Sequence, residues 1–407
     1  MRIAIVVGAG PAGLMAAETL ARAGLRVTVI EQCQTPGRKF LMAGRGGLNL
    51  THSESLPQFL TRYGEAKPWL QPAVEAFPPQ ALCSWAEGLG HKTVVGSSGR
   101  IFPESFRATE LLRSWLIELG ELGVSLQTGL RFTGFLPPED DGPKLVIGCV
   151  PKDGPVKEFG ADVIVLALGG ASWPRTGSDG TWTPLMSKMG IGSAPLTPTN
   201  CGYRVTWTPV FREHFAGVPL KNVRCSIGAT ASRGDAMITS TGIEGGPIYA
   251  LSDALHSLGT KPHLMLDLAP DIAHGVLKTR LENTRTNLSL PKLLERTAKL
   301  SPVAISLLRE ITRNNVPREP ERLADLIHRA KLKLDGPEPI ARAISTRGGI
   351  LEDELSSDWM LAKLPGVFVA GEMLNWTAPT GGYLLQACFA TGRAAAVGAL
   401  RWLDKTC

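Results

Sequence analysis

The sequence predicts an α/β protein: a Rossmann-like dinucleotide-binding domain with a β-rich stretch and a basic helical stretch set into it. Three observations lead there. An apolar β-branched run, Ile3 to Val7, enters Gly8-Ala9-Gly10-Pro11-Ala12-Gly13; a helical pattern with Leu14, Ala17, Leu20 and Ala21 on one face follows, then a second apolar strand, Arg26 to Ile30, that ends in Glu31. Two later apolar runs, Ala161 to Gly170 and Gly366 to Glu372, also end in glycine, the second with an acid ahead of a long small-residue helix. Between them, past Met189, short alternating strands replace the strand-helix rhythm.

Each part of the first stretch has a physical task. Gly8 permits the tight turn, Gly10 lets the backbone approach a pyrophosphate, and Gly13 lets helix and strand pack closely. The helix start supplies free N–H groups and a positive dipole end for an anion. Glu31 lies eighteen residues after Gly13, where a carboxylate meets the adenosine ribose. Its charge favours a free 2′-hydroxyl, as in FAD or NAD, over the 2′-phosphate of NADP.

At 407 residues the chain has room for two or three domains. Its hydrophobic fraction of 43% and charged fraction of 20% are those of ordinary globular proteins. The first strand begins at residue 3, which leaves no space for a secretory signal, and no apolar run approaches a bilayer span, so a cytoplasmic location is expected. Seven scattered cysteines without a CxxC pair argue against a disulfide framework or zinc site, and no histidine spacing suggests a metal. The net charge of +6 is local: Val276 to Lys333 holds thirteen Lys or Arg against six Asp or Glu. Either a solvated helical face or steering of an anionic partner accounts for it. That stretch has no recognisable nucleic-acid module and no aromatic residue for base stacking, so nucleic acid is not the partner expected first.

After Glu31, Gln32 to Thr51 reads QCQTPGRKFLMAGRGGLNLT, with Arg38, Lys39 and Arg45 among four glycines, which suits a loop wrapped around a diphosphate. GAGPAG, the distal Glu and GRKFLMAGRGGLNLT together resemble the FAD-binding domain of the two-dinucleotide-binding-domain flavoproteins. Within these the chain resembles the bacterial NAD(P)/FAD-dependent oxidoreductases that include aminoacetone oxidase and a bile-acid-reducing flavoenzyme. It keeps Lys39, Gly44, Gly46, Asn49 and Thr51 of that group's pattern but has Ala43, Gly47, Leu48 and His52 where Ser, Arg, Cys and Asn are commoner, the mark of a divergent subgroup. The resemblance implies that Gln32, Arg38, Lys39, Ala43, Gly44 and Asn49 join the glycine turn and Glu31 around FAD.

Prolines at 57, 68, 72, 78 and 79 predict short capping helices, and Ala108 to Leu122 a helix with a packing stripe at Leu111, Leu112, Trp115, Leu116 and Leu119. Val124 to Phe135 and Lys144 to Val150 alternate as strands around the loop Pro137 to Pro143. The resemblance places Gly169 and Gly170, at the end of ADVIVLALGG, beneath the adenine half of FAD, and implies that Pro195 to about Leu268 is a β-barrel insert. Thr239 to Ser252 is either a flavin-side segment or a strand-to-helix turn with Ser252 as cap. Asp271 to Lys333 reads as helical, with Ser301-Pro302 starting one helix.

Gly366 to Glu372 ends in a glycine and an acid, and Thr380-Gly381-Gly382-Tyr383 opens the helix Leu384 to Leu403. By resemblance Gly371 and Glu372 meet the ribityl chain, and Gly381, Gly382 and Tyr383 lie under the flavin. A positive helix end there stabilises the charge of reduced flavin. Asn375 and Leu384 stand where the group more often has Asp and Asn. The expected layout is a discontinuous FAD-binding domain (1–189, resumed within 336–407), a β-barrel insert (190–270) and a basic helical subdomain (271–335).

The expected function is an FAD-dependent oxidoreductase of a small molecule, with His52 and Tyr383 as the titratable candidates near the ring. No second GxGxxG is present. NAD(P)H therefore visits the substrate's face as a transient donor, or the substrate is itself the reductant, as in an amine-type oxidase. The alternative from another class is a flavoprotein whose basic insert holds RNA or another anionic partner.

Overall fold

A computed structural model of the protein describes residues 1–44, 46–138, 143–259, 262–284 and 288–406. Arg45, the acidic centre of the Pro137 to Pro143 loop, Arg285 and Cys407 lie outside the described residues. The chain forms two compact units, Met1–Thr197 with Ser345–Cys407, and Pro198–Ile344.

The first unit is built on a five-stranded sheet in the order Val367–Val369, Val163–Leu166, Ile3–Val7, Arg26–Glu31, Ser125–Thr128, with every pairing parallel. Its central strands are buried on both faces, which is why they read as continuous apolar runs. The crossover helix Pro11–Arg22 packs against the C-terminal helix Tyr383–Lys405. The single strand expected from Val124 to Phe135 is two: Ser125–Thr128 closes the parallel sheet, and after Gly129, at φ +72°, Leu130–Leu136 joins an antiparallel three-stranded sheet. Period-two alternation continues through such a corner, so the pattern alone does not reveal the change of sheet.

The second unit holds a six-stranded antiparallel sheet ordered Tyr203–Arg204, Gly242–Gly245, Thr230–Ile238, Pro219–Ile227, His263–Asp267, Ala330–Lys333. It curls toward closure, because Arg204 donates its N–H to Gly336 O at 2.8 Å and accepts that of Asp335 at 2.8 Å. The basic stretch contributes four helices, His274–Glu282, Leu290–Ala298, Pro302–Thr312 and Pro320–His328, and then the end strand of this sheet. Ser301 caps the third helix, accepting from Ala304 N. Ser252 is the first residue of its helix instead of the cap, and its hydroxyl accepts the Asn200 N–H at 3.0 Å. His274 of one helix and Glu321 and Asp325 of another bring ligand-type atoms within 4.8 Å of one another. His274 is hydrogen-bonded to Asp325 and Glu321 is paired with Lys278, so they form an ion-pair network. No described helix is long and apolar enough to cross a membrane. The described cysteines are free thiols.

Candidate functional site

The site grows from the end of the first strand. Gly8 turns the chain at φ +106°, a region closed to most residues, and a Cβ there would sit 2.3 Å from Ala167 O; one on Gly13 would sit 1.9 Å from Gly8 O. Gly10 differs: its backbone is extended and a Cβ would meet nothing within 4 Å. The helix beginning at Pro11 has no side-chain cap. Its first N–H groups have no side-chain acceptor, and Gly10, Pro11 and Ala12 line an open cleft.

Glu31 is buried at the edge of this cleft. Its carboxylate accepts the Ala9 N–H and the Cys33 N–H, each at 2.8 Å, and so fixes the turn to the strand end. Burial pushes its carboxyl up, against the pull of those two N–H groups and the charge of Arg38. At the other end Lys39 donates to Glu372 and to Ser172, both at 2.6 Å, joining segments 333 residues apart. Cys388 lines the same wall, and burial, followed by the Glu372 charge, pushes its thiol far up, so it stays protonated.

Of the residues expected around the cofactor, Gly8, Ala9, Gly10, Pro11, Ala12 and Glu31 line the cleft, as do Gln32, Arg38, Lys39, Gly169, Gly371 and Glu372. Gly13, Ala43, Gly44, Asn49, Gly170, Gly381, Gly382 and Tyr383 do not. Gly44 is a packing position, its Cβ direction blocked 2.4 Å away by Ala108, and Gly382 lies against the Thr51 backbone. From the sequence the turn-rich stretch Ser172 to Gly180 is expected to close over the flavin, but Ser178 is not singled out within it. Ser178 lines the cleft, is 5% exposed, and its Oγ has no hydrogen-bond partner among the described residues. An uncapped helix start, an open glycine and an orphaned hydroxyl in one cleft match a ligand with a diphosphate and hydroxyls, so the residues present fit FAD.

His52 and Tyr383 come together, stacked at 5.5 Å with 19° between their planes. His52 Nδ1 accepts the Glu54 N–H at 3.2 Å, which leaves Nε2 to donate to Ser98 O at 3.0 Å. The Tyr383 hydroxyl donates to Glu54 Oε1 at 2.6 Å, and Arg62 grips the same carboxylate at 3.1 and 2.8 Å. Burial, followed by the bond to Glu54, raises the phenol far above its usual range. All these polar groups are engaged, and the cluster ties the start of the C-terminal helix to the Glu54–Arg62 stretch. Burial alone would raise the Glu54 carboxyl, but hydrogen bonds from Arg62 and Tyr383 outweigh it and hold the carboxyl below its ordinary 4.5. A depressed folded-state pKa gives stability that is present above the unfolded value and lost as pH falls through the folded one. Glu54→Gln should therefore flatten the fall in Tm below about pH 4.5, measured by thermal melts across pH 3 to 7. An acid limb as steep as that of the parent would refute this.

The HI0933-like protein Rossmann domain matches residues 2–398. The ribosomal RNA dihydrouridine synthase of Escherichia coli (strain K12) is 26% identical over 94% of this chain and 94% of its own length. The enzyme of the same name from Haemophilus influenzae (strain ATCC 51907 / DSM 11121 / KW20 / Rd) is 24% identical over 98% of each. Among solved structures, a flavocytochrome c3 fumarate reductase in its open conformation shares the fold at TM-score 0.51 and 16% identity, covering 98% of this chain and 78% of that one. With the glycine turn, Glu31 and the uncapped helix facing one cleft, and the family match running almost end to end, the chain belongs to the HI0933-like Rossmann family and is an FAD-dependent oxidoreductase.

Proposed function

We propose that the chain is an FAD-dependent reductase that saturates the 5,6 double bond of a uridine in ribosomal RNA, with NAD(P)H as donor. The carrying observation is that both ribosomal RNA dihydrouridine synthases match across nearly the whole length, the inserted unit included. The reaction balances as uracil plus NAD(P)H plus a proton giving dihydrouracil and NAD(P)⁺. Bound FAD supplies the hydride chemistry between donor and base. The chain's residues hold it: Glu31 receives ribose hydroxyls, the N–H groups after Gly10 meet the diphosphate, and Glu372, steadied by Lys39, receives ribityl hydroxyls. The basic insert supplies the cationic surface that an RNA substrate needs.

The test starts with the visible spectrum of the purified protein under nitrogen. Flavin bands should bleach on addition of NADH or NADPH. Ribosomal RNA from a strain lacking the gene should then gain dihydrouridine, read by nucleoside mass spectrometry. Bleaching with no dihydrouridine, together with turnover of a free enone or amine, would replace RNA by a small-molecule substrate. Yellow protein that neither nucleotide bleaches would remove NAD(P)H as donor.

A further inference from the structure

The six-stranded sheet of the inserted unit buries one face and exposes the other. In Pro219–Ile227, Val223, Cys225 and Ile227 are buried while Arg224 is exposed; in Ala330–Lys333, Ala330 and Leu332 are buried while Lys331 and Lys333 are exposed. The register puts the exposed residues on one face. Arg224 stands opposite Arg233 on one side and Asp267 on the other; two and four residues along from Asp267, Met265 and His263 stand opposite Lys331 and Lys333.

The carboxylates near this face are already engaged. Asp267 accepts the Ala269 N–H at 3.0 Å and pairs with His328 at 2.9 Å, and Asp271 takes Arg233 and Asn222. Arg224, Lys331 and Lys333 make no ion pair among the described residues. Lysines on an end strand also guard against edge-to-edge association. That reason covers Lys331 and Lys333 but not Arg224, which lies on an interior strand between Arg233, already paired with Asp271, and Asp267, already engaged by Ala269 and His328. Alternate residues on a strand stand about 7 Å apart, as Lys331 and Lys333 do, and Arg224 lies across the intervening strand His263–Asp267, so the three cations share one exposed face.

We propose that this exposed sheet face is the docking surface for the substrate's RNA backbone. The assignment rests on the RNA reading above and adds where the polyanion lies. The face contacts phosphates and carries no base specificity of its own, because its cations are flexible side chains on the exposed outer side of the sheet.

The full-length holoenzyme carrying Arg224→Glu, Lys331→Glu and Lys333→Glu tests it against deproteinised ribosomal RNA. At about 100 mM salt the triple variant should bind roughly 30-fold more weakly, and its plot of log affinity against log salt should flatten by two to three units. Its flavin spectrum and bleaching by NAD(P)H should match the parent's. A control with the same charge change on exposed residues of the helical stretch, Lys292→Glu, Arg296→Glu and Arg322→Glu, should bind within about threefold of the parent. Parent-like binding by the sheet variant, or an equal loss in the control, would overturn the assignment. If the triple variant does not fold, Arg224→Gln and Lys331→Gln, made singly, should each lower the slope by about one; an unchanged slope in both would overturn it equally. Dihydrouridine in the same RNA is scored separately. Parent enzyme that binds through this face and forms none would sink the uridine reading and leave the docking surface in place.

Discussion

Gly10→Glu yields a folded protein that purifies without colour. Gly10 has an ordinary extended backbone, and a Cβ on it meets no atom within 4 Å, so the new side chain is accommodated in the open cleft without strain. There it sets a carboxylate in the path of the diphosphate and beside the helix start that would bind it. Two like charges about 4 Å apart at an effective dielectric near 20 repel by about 4 kcal/mol, which is roughly a thousandfold in affinity. The apo variant should melt within a few degrees of the apo parent, and added FAD should raise the parent's Tm but not the variant's. Gly13→Val is the contrast. Its Cβ would lie 1.9 Å from Gly8 O, so that variant loses the fold before any question of ligand arises. A yellow Gly10→Glu protein with stoichiometric FAD would show that the diphosphate does not pass there.

This difference between two glycines of one motif marks how far the sequence could be read. The strand, turn, helix and acid were legible because each depends on neighbours within about thirty residues, where period and turn chemistry are local. Lys39 and Glu372 were each named for the cofactor, but their pairing arises only when the last parallel strand is placed beside Val163–Leu166. Ser178 sits in the turn-rich stretch Ser172 to Gly180, which was legible as a segment near the flavin, and only burial without a partner singles out this one residue. Glu54 and Arg62 went unnamed for a similar reason: they matter through Tyr383, more than three hundred residues later. The shared exposed face of Arg224, Lys331 and Lys333 was equally hidden, since the basic stretch reads as helical until its last four residues join a sheet.

Lys39→Met should cost the apo protein about 2 to 3 kcal/mol, somewhat less than the 3 to 5 typical of a fully buried pair. The reduction follows from exposure: the lysine side chain is 24% and the Glu372 side chain 12% accessible, so water offsets part of the loss. What remains is a mostly buried carboxylate stripped of its cation. Glu372→Gln in the same background removes that unpaired charge, so the double variant should recover part of the stability, with a coupling of at least about 1 kcal/mol in urea unfolding of FAD-free protein. The two effects then separate on the cofactor. The double variant regains stability but lacks the charged acceptor for ribityl hydroxyls, so its FAD affinity should stay well below the parent's. If instead both single variants cost under about 0.5 kcal/mol, the pair behaves as a solvated surface bridge, and Lys39 answers to the ligand alone. If the double variant binds FAD as the parent does, Glu372 serves the fold through Lys39 and has no role toward the ribityl chain.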